Sequence, residues 1–117
     1  MTRWILVVED DHDNRDVIVE ILNEAGYDAK TASSGAQALE ILHKERPCLV
    51  LADIMMSEMD GRELRARARG MLDDAMPPFV FLTGVQPSWL EDISDTILTK
   101  PIDMDRLLDV VAHHCAA

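Results

Sequence analysis

Three short apolar runs stand out along the chain: Trp4–Val8, Cys48–Ala52 and Phe79–Leu82. None alternates apolar with polar residues, so each reads as a strand buried on both faces of a parallel sheet. Two weaker stretches, Asp28–Ala32 and Thr96–Thr99, mix polar and apolar residues as edge strands do. Between these runs the period changes to that of a helix. From Asp13 to Ala25 the residues Val17, Ile18, Ile21, Leu22 and Ala25 share one stripe, and Gly26 supplies the stop. Ser34 followed by Gln37 is a capping-box pair opening a helix that turns Ala38, Leu39 and Leu42 inward until Pro47. A third helix is predicted from about Arg62 to Met71, and Pro87–Ser88 starts a short turn of helix over about Ser88 to Ile93. The last begins at Asp103, a candidate N-cap, and is expected to bury Met104, Leu107, Leu108 and Val111.

Strand and helix alternate throughout, which predicts an α/β architecture with crossover connections and helices on both faces of the sheet. Placing the mixed stretches at the two edges gives a doubly wound five-stranded parallel sheet of the flavodoxin-like order 2-1-3-4-5. Right-handed crossovers complete the topology. With 117 residues, 48% of them hydrophobic, the chain suits one domain over residues 1–117. A net charge of -11 disfavours direct nucleic-acid binding, which depends on cationic neutralisation of phosphates, and favours metal cations or basic protein surfaces. No stretch reads as a signal peptide or a bilayer span, so a cytoplasmic protein without membrane contact is expected. The two cysteines, Cys48 and Cys115, lie far apart in sequence and read as free thiols.

The ends of the strand runs carry the candidate chemistry. Glu9-Asp10-Asp11 follows the first run, Asp53 closes the run that starts at Cys48, Thr83 follows Leu82, and Lys100-Pro101 follows the last stretch. In a parallel sheet all these ends face one crevice, so carboxylates, a hydroxyl and an ammonium converge there as a phosphate-and-metal inventory. Simpler roles fit some of these residues taken singly. Asp11 or Asp13 is explained by the positive N-terminus of the following helix, and an isolated Asp53 could be a turn former. Three consecutive acids at the mouth of a buried strand have no such explanation. Met55, Met56 and Met59 read as gap fillers beside the site, because a hard cation that suits carboxylates shuns soft sulfur. Arg62, Arg65 and Arg69 share a helical face that is either solvated and self-paired or a dock for an acidic partner. His12, His43, His113 and His114 read as surface residues.

Four segments in order, Val7–Asp11, Leu51–Gly61, Leu82–Gly84 and Leu98–Pro101, resemble the receiver domain of bacterial two-component response regulators, including the chemotaxis regulators. The resemblance covers nearly the whole chain. It implies a signalling phosphoacceptor, not an enzyme in the ordinary sense. Asp53 would take a phosphoryl group from a histidine kinase, a phosphotransfer protein or a small acyl phosphate. Glu9 and Asp10 would be the acidic pair for Mg2+, with Asp10 and Asp53 as direct ligands, the Met55 backbone carbonyl as another, and Glu9 acting through water. Thr83 would donate a hydrogen bond to the phosphoryl group, Lys100 would neutralise it, and Gly84 would leave it accessible. Pro101 would form a cis bond that aims Lys100 inward.

The pattern also departs from that family. The segment between Thr83 and Lys100 is short, which predicts a shortened fourth helix. Ile97 stands where receivers usually carry a Tyr or Phe that changes rotamer, and Ser57 replaces a common proline. Met55 and Val85 are apolar at positions flanking the site, which predicts a long-lived phosphoryl group. Two other readings remain open at this level: a receiver-like interaction module that is never phosphorylated, and a haloacid-dehalogenase-like phosphatase, whose paired acids Asp11-His12-Asp13 imitate. A downstream protein target would complete the signalling reading.

Overall fold

The apolar runs become strands because each offers two apolar faces, and only a sheet sandwiched between helices covers both. The computed structural model describes residues 4–56, 58–84 and 96–115; the short helix expected over Ser88–Ile93, with Ser57 and Val85, lies outside the described residues. Five strands, β1 (Trp4–Val8), β2 (Asp28–Ala32), β3 (Leu49–Asp53), β4 (Phe79–Thr83) and β5 (Thr96–Thr99), form one parallel sheet in the order β2-β1-β3-β4-β5. The predicted order holds, and β2 stands at an edge with most of its residues exposed. Among the described residues four helices cover the sheet: α1 (His12–Glu24), α2 (Gly35–Lys44), α3 (Gly61–Leu72) and α4 (Met104–Cys115). Among them none is long and apolar enough to cross a membrane.

Two core layers result. On one face Leu6, Val8, Val50, Ala52, Phe79 and Phe81 pack with Ala38 and Leu42 of α2 and Leu64 and Ala68 of α3. On the other, Ile5, Val7, Leu49, Leu51, Val80, Leu82 and Leu98 pack with Ile18 and Leu22 of α1 and Leu107 and Val111 of α4. Ile97, on the edge strand, packs against the first layer.

Each helix start is capped by a side chain that fills an otherwise orphaned backbone N–H. The Asp11 carboxylate accepts from the Asp13 and Asn14 amides, Ser34 from Gln37, Asp60 from Glu63, and Asp103 from Arg106. Gln37 reaches back to the Ser33 amide at 2.7 Å, one residue earlier than the capping box anticipates. Helix α1 ends as expected: Gly26 adopts φ 92° while Tyr27 donates to the Leu22 carbonyl.

The structure corrects several expectations. Periodicity marks a stripe but not how much of it is covered, and Val17 and Met104 stand 55% and 51% exposed at the stripe margins. Ala25 is also exposed, and Leu39 and Leu108 are only half-buried. Most consequentially, Cys48 and Cys115 are not free thiols. The end of α4 meets the start of β3, and the two sulfurs are bonded, with the Cα atoms 5.4 Å apart.

Candidate functional site

Strand register builds the site. Val8 pairs with Ala52, so Glu9 emerges from β1 beside Asp53, the last residue of β3. Asp53 pairs with Leu82, which sets Thr83 one residue further along β4. Thr83 pairs with Thr99, so Lys100 leaves β5 on the same side. The Lys100 amide donates to the Thr83 carbonyl at 2.8 Å, and the Lys100–Pro101 bond is cis.

These ends enclose a crevice of about 390 Å³, lined by Glu9, Asp10, Asp11, Asn14, Asp53, Met55, Gly84 and Lys100. One carboxylate oxygen from each of Glu9, Asp10 and Asp53 lies within 4.8 Å of the others. The Lys100 ammonium bridges two of them, at 2.7 Å from Asp53 Oδ2 and 3.0 Å from Glu9 Oε1. Asp53 is 5% exposed and its other oxygen, Oδ1, accepts from the Met55 amide at 3.0 Å. The Asp53 carboxylate is thus held at both oxygens.

Charge is only partly balanced here. Burial pushes the Glu9 carboxyl up to about 7, and the neighbouring Asp53 adds to this while Lys100 opposes it. Glu9 Oε2 is buried without a hydrogen-bond partner among the described residues. Burial works against the Lys100 ammonium, but its bonds to Asp53 and Glu9 outweigh that and raise its pKa. Among the described residues the Glu9 and Asp53 carboxylates share the Lys100 ammonium while a buried Glu9 oxygen goes unserved, an arrangement that favours added positive charge.

Six of the residues singled out in sequence, Glu9, Asp10, Asp53, Met55, Gly84 and Lys100, therefore meet around one crevice. Thr83 differs: it is fully buried at the end of β4 and does not line the crevice. Met55, expected to fill a gap, is 58% exposed at the rim, whereas Met56 and Met59 do pack against the core. Asp11 lines the crevice but spends one oxygen on capping α1. Two contributors carry no chemical signal in sequence. Arg15 ties the site to α1 by donating to the Glu9 carbonyl at 3.1 Å. Gly61 packs so closely behind β3 that a Cβ there would lie 2.7 Å from the Asp53 carbonyl oxygen.

Residues 5–112 match the response regulator receiver domain family. The chain belongs to that family. This receiver is 38% identical over 112 residues to the response regulator receiver protein CpdR of Brucella abortus, covering 92% of each chain. It is 32% identical over 115 residues to sporulation initiation phosphotransferase F of Bacillus subtilis, covering 95% of this chain and 92% of that one. Among solved structures it resembles Vibrio cholerae chemotaxis protein CheY4, with a TM-score of 0.86 and 25% identity over 97% of this chain and 99% of the other. The receiver is accordingly a signalling module of two-component phosphorelays, where such domains interact with histidine kinases and phosphotransfer proteins. The phosphatase reading loses its footing, since Asp11 is a helix cap and Asp13 is exposed.

Proposed function

We propose that Asp53 is the residue that accepts the phosphoryl group, with Lys100 and Thr83 as its partners, in a receiver domain spanning residues 1–117. The observation that carries this is the Lys100 ammonium at 2.7 Å from a nearly buried Asp53 carboxylate whose far oxygen is held by the Met55 amide. The nucleophile is fixed, desolvated on most sides and open toward the crevice. An Asp53 oxygen attacks phosphorus, the O–P bond forms as the P–N bond to a donor imidazole breaks, and the imidazole keeps the electron pair and takes up a proton. Phosphoryl transfer needs little covalent help and much charge neutralisation, which Lys100 supplies to an oxygen of the incoming group. Thr83 lies one residue past Asp53 in register and would donate its hydroxyl hydrogen to a second oxygen.

Receiver domains bind Mg2+ at an acidic pocket. The residues here fit it: hard carboxylate oxygens cluster within 4.8 Å, and a buried Glu9 oxygen lacks a partner among the described residues. Asp10, Asp53 and the Met55 carbonyl would hold the ion and Glu9 would support it. Bound there, it would supply positive charge against the developing phosphoryl oxygens.

A cytoplasmic location fits this role. The donor would approach across the apolar groove of about 260 Å³ lined by Asn14, Val17, Ile18, Ile21, Lys100, Pro101 and Ile102, which shares Asn14 and Lys100 with the crevice. Incubation with acetyl phosphate and Mg2+ followed by intact mass measurement tests the assignment. One added phosphoryl group that disappears in Asp53→Asn is the expected result. Label retained by Asp53→Asn, or none even from a cognate kinase, would overturn it. Val17→Asp should slow transfer from the kinase while leaving transfer from acetyl phosphate unchanged.

A further inference from the structure

Helix α4 is fastened to the sheet differently at its two ends. At the front, only Pro101, Ile102 and Asp103 separate Lys100 from Met104. At the back, Cys115 is bonded to Cys48, the residue that precedes β3. Cys115 is 3% exposed and packs in the same layer as Leu107 and Val111, while Cys48 is half-buried at its margin. These are the only cysteines in the chain, so no third thiol can divert the pair.

Thiol–disulfide exchange proceeds by thiolate attack on one sulfur, so access decides which bond end reacts. An incoming thiolate meets Cys48 first, because Cys48 is half-buried where Cys115 is almost wholly enclosed, and Cys115 is then the leaving sulfur. Cytoplasmic thiols are ordinarily kept reduced. On the cytoplasmic placement proposed above, a bridge in this position is one that forms and breaks.

We propose that Cys48 and Cys115 are a reversible redox site, reduced by a dithiol and oxidised by a low-molecular-weight disulfide, whose state sets whether α4 is covalently pinned to the strand carrying Asp53. In the reducing direction a dithiol thiolate attacks Cys48 Sγ and the Sγ–Sγ bond breaks, releasing Cys115 as a thiolate that takes a proton. The second thiol of the reductant then displaces Cys48, closing its own disulfide and passing two electrons and two protons to the protein in all. Oxidation returns both electrons to the low-molecular-weight disulfide, which leaves as two thiols. Reduced, α4 keeps Leu107 and Val111 in the core but loses its tether at the last turn. The crevice lies at the far end of β3, roughly 15 Å away at strand spacing, and keeps its geometry.

The full chain, equilibrated across dithiothreitol buffers of graded reduced-to-oxidised ratio, trapped with iodoacetamide and weighed intact, tests this. The expected result is one transition between a species with no label and a species with two. Amide exchange over residues 111–115 should be at least tenfold faster in the reduced form, and the double variant Cys48→Ser/Cys115→Ser should match it. Phosphorylation by acetyl phosphate should be equal in both states. A protein unlabelled at the most reducing ratio carries a permanent staple, and one still doubly labelled after incubation with excess oxidised glutathione never closes the bridge; either overturns the proposal. Equal exchange in the two states overturns the pinning. Failure of phosphorylation in both states would count against Asp53 as acceptor and leave the thiol result standing, so the two readings fail separately.

Discussion

Cys48, just before β3, and Asp53, its last residue, are five residues apart and chemically opposite. At its start, Cys48 is bonded to the last turn of α4 and lies against an apolar layer. At its end, Asp53 shares a crevice with Glu9 and Asp10 against one ammonium. The end of the sheet where β3 starts, here termed the closed edge, is fixed by covalent and apolar contacts; the end where β3 finishes, the open edge, gathers negative charge that folding alone would disfavour. The contrast teaches that a fold of this size can carry a costly site where the opposite edge secures the same strand.

Breaking the closed edge should have the largest effect. The bridge joins residues 67 apart in sequence, and the chain entropy released to the unfolded state on cutting such a loop amounts to about 4 kcal/mol. Denaturant unfolding of Cys48→Ser/Cys115→Ser should show a loss of that order, or roughly 15 °C in Tm. Phosphate uptake at Asp53 should not change. A double variant within about 1 kcal/mol of the parent would mean that this edge is not the anchor, and the comparison would fail.

Next in size is the open edge without its cation. Lys100→Met leaves the Asp53 and Glu9 carboxylates facing one another without the ammonium that bridges them. Removing one partner of a largely buried ion pair costs about 3 kcal/mol. Metal-free denaturation should reveal this loss, and incubation with acetyl phosphate and Mg2+ should show phosphorylation lowered at least tenfold. Unchanged stability would show that the acids do not depend on Lys100 for their balance.

The asymmetry between the edges was only half legible in sequence. The runs 4–8, 48–52 and 79–82 announced buried strands because a strand covered on both faces has no polar alternation to hide it. Their C-terminal residues therefore pointed to the crevice, and the Ser34 and Asp103 caps could be read locally. The bridge could not. Cys48 and Cys115 are 67 residues apart, and whether they meet depends on where α4 stops along the sheet, which periodicity leaves open. Exposure of Val17, Met55 and Met104 was hidden for a related reason, since a helical stripe or a loop residue shows apolar character but not the neighbour that would cover it. Thr83 illustrates the same limit, since its place after a buried run marks the end of β4 but not that the residue is itself fully buried there.

Gly61 sharpens the comparison at smaller scale. A Cβ at this position would lie 2.7 Å from the Asp53 carbonyl oxygen and 3.0 Å from the Ile54 Cα, both backbone atoms that cannot swing aside. Gly61→Ala should therefore push on the acceptor itself, lowering stability by about 2 kcal/mol and slowing phosphorylation by several-fold. Gly70, in the same helix with nothing within 4 Å of its Cβ position, is the control. Gly70→Ala should gain about 0.5 kcal/mol from helix propensity with phosphorylation unaltered. Equal behaviour of the two variants would remove the close approach behind Asp53 as a determinant of its position.

The smallest effect is a slope with pH. Glu9 sits near 7 in the fold against an ordinary 4.5, with burial as the main cause. Between those values the folded protein holds a proton that the unfolded chain has released, so raising the pH through this window removes stability. Below about 4.5 the carboxyl is protonated in both states and costs nothing, and above 7 the full penalty is present. Lys100, with its pKa raised, contributes stability that persists up to its ordinary 10.5 and so adds no slope in the window. In chelator, the parent protein should lose up to about 1 kcal/mol per pH unit relative to Glu9→Gln between pH 5 and 7, read from denaturant midpoints at each pH. Parallel profiles for the two proteins would mean that Glu9 ionises freely, and that the open edge carries less strain of charge than its geometry implies.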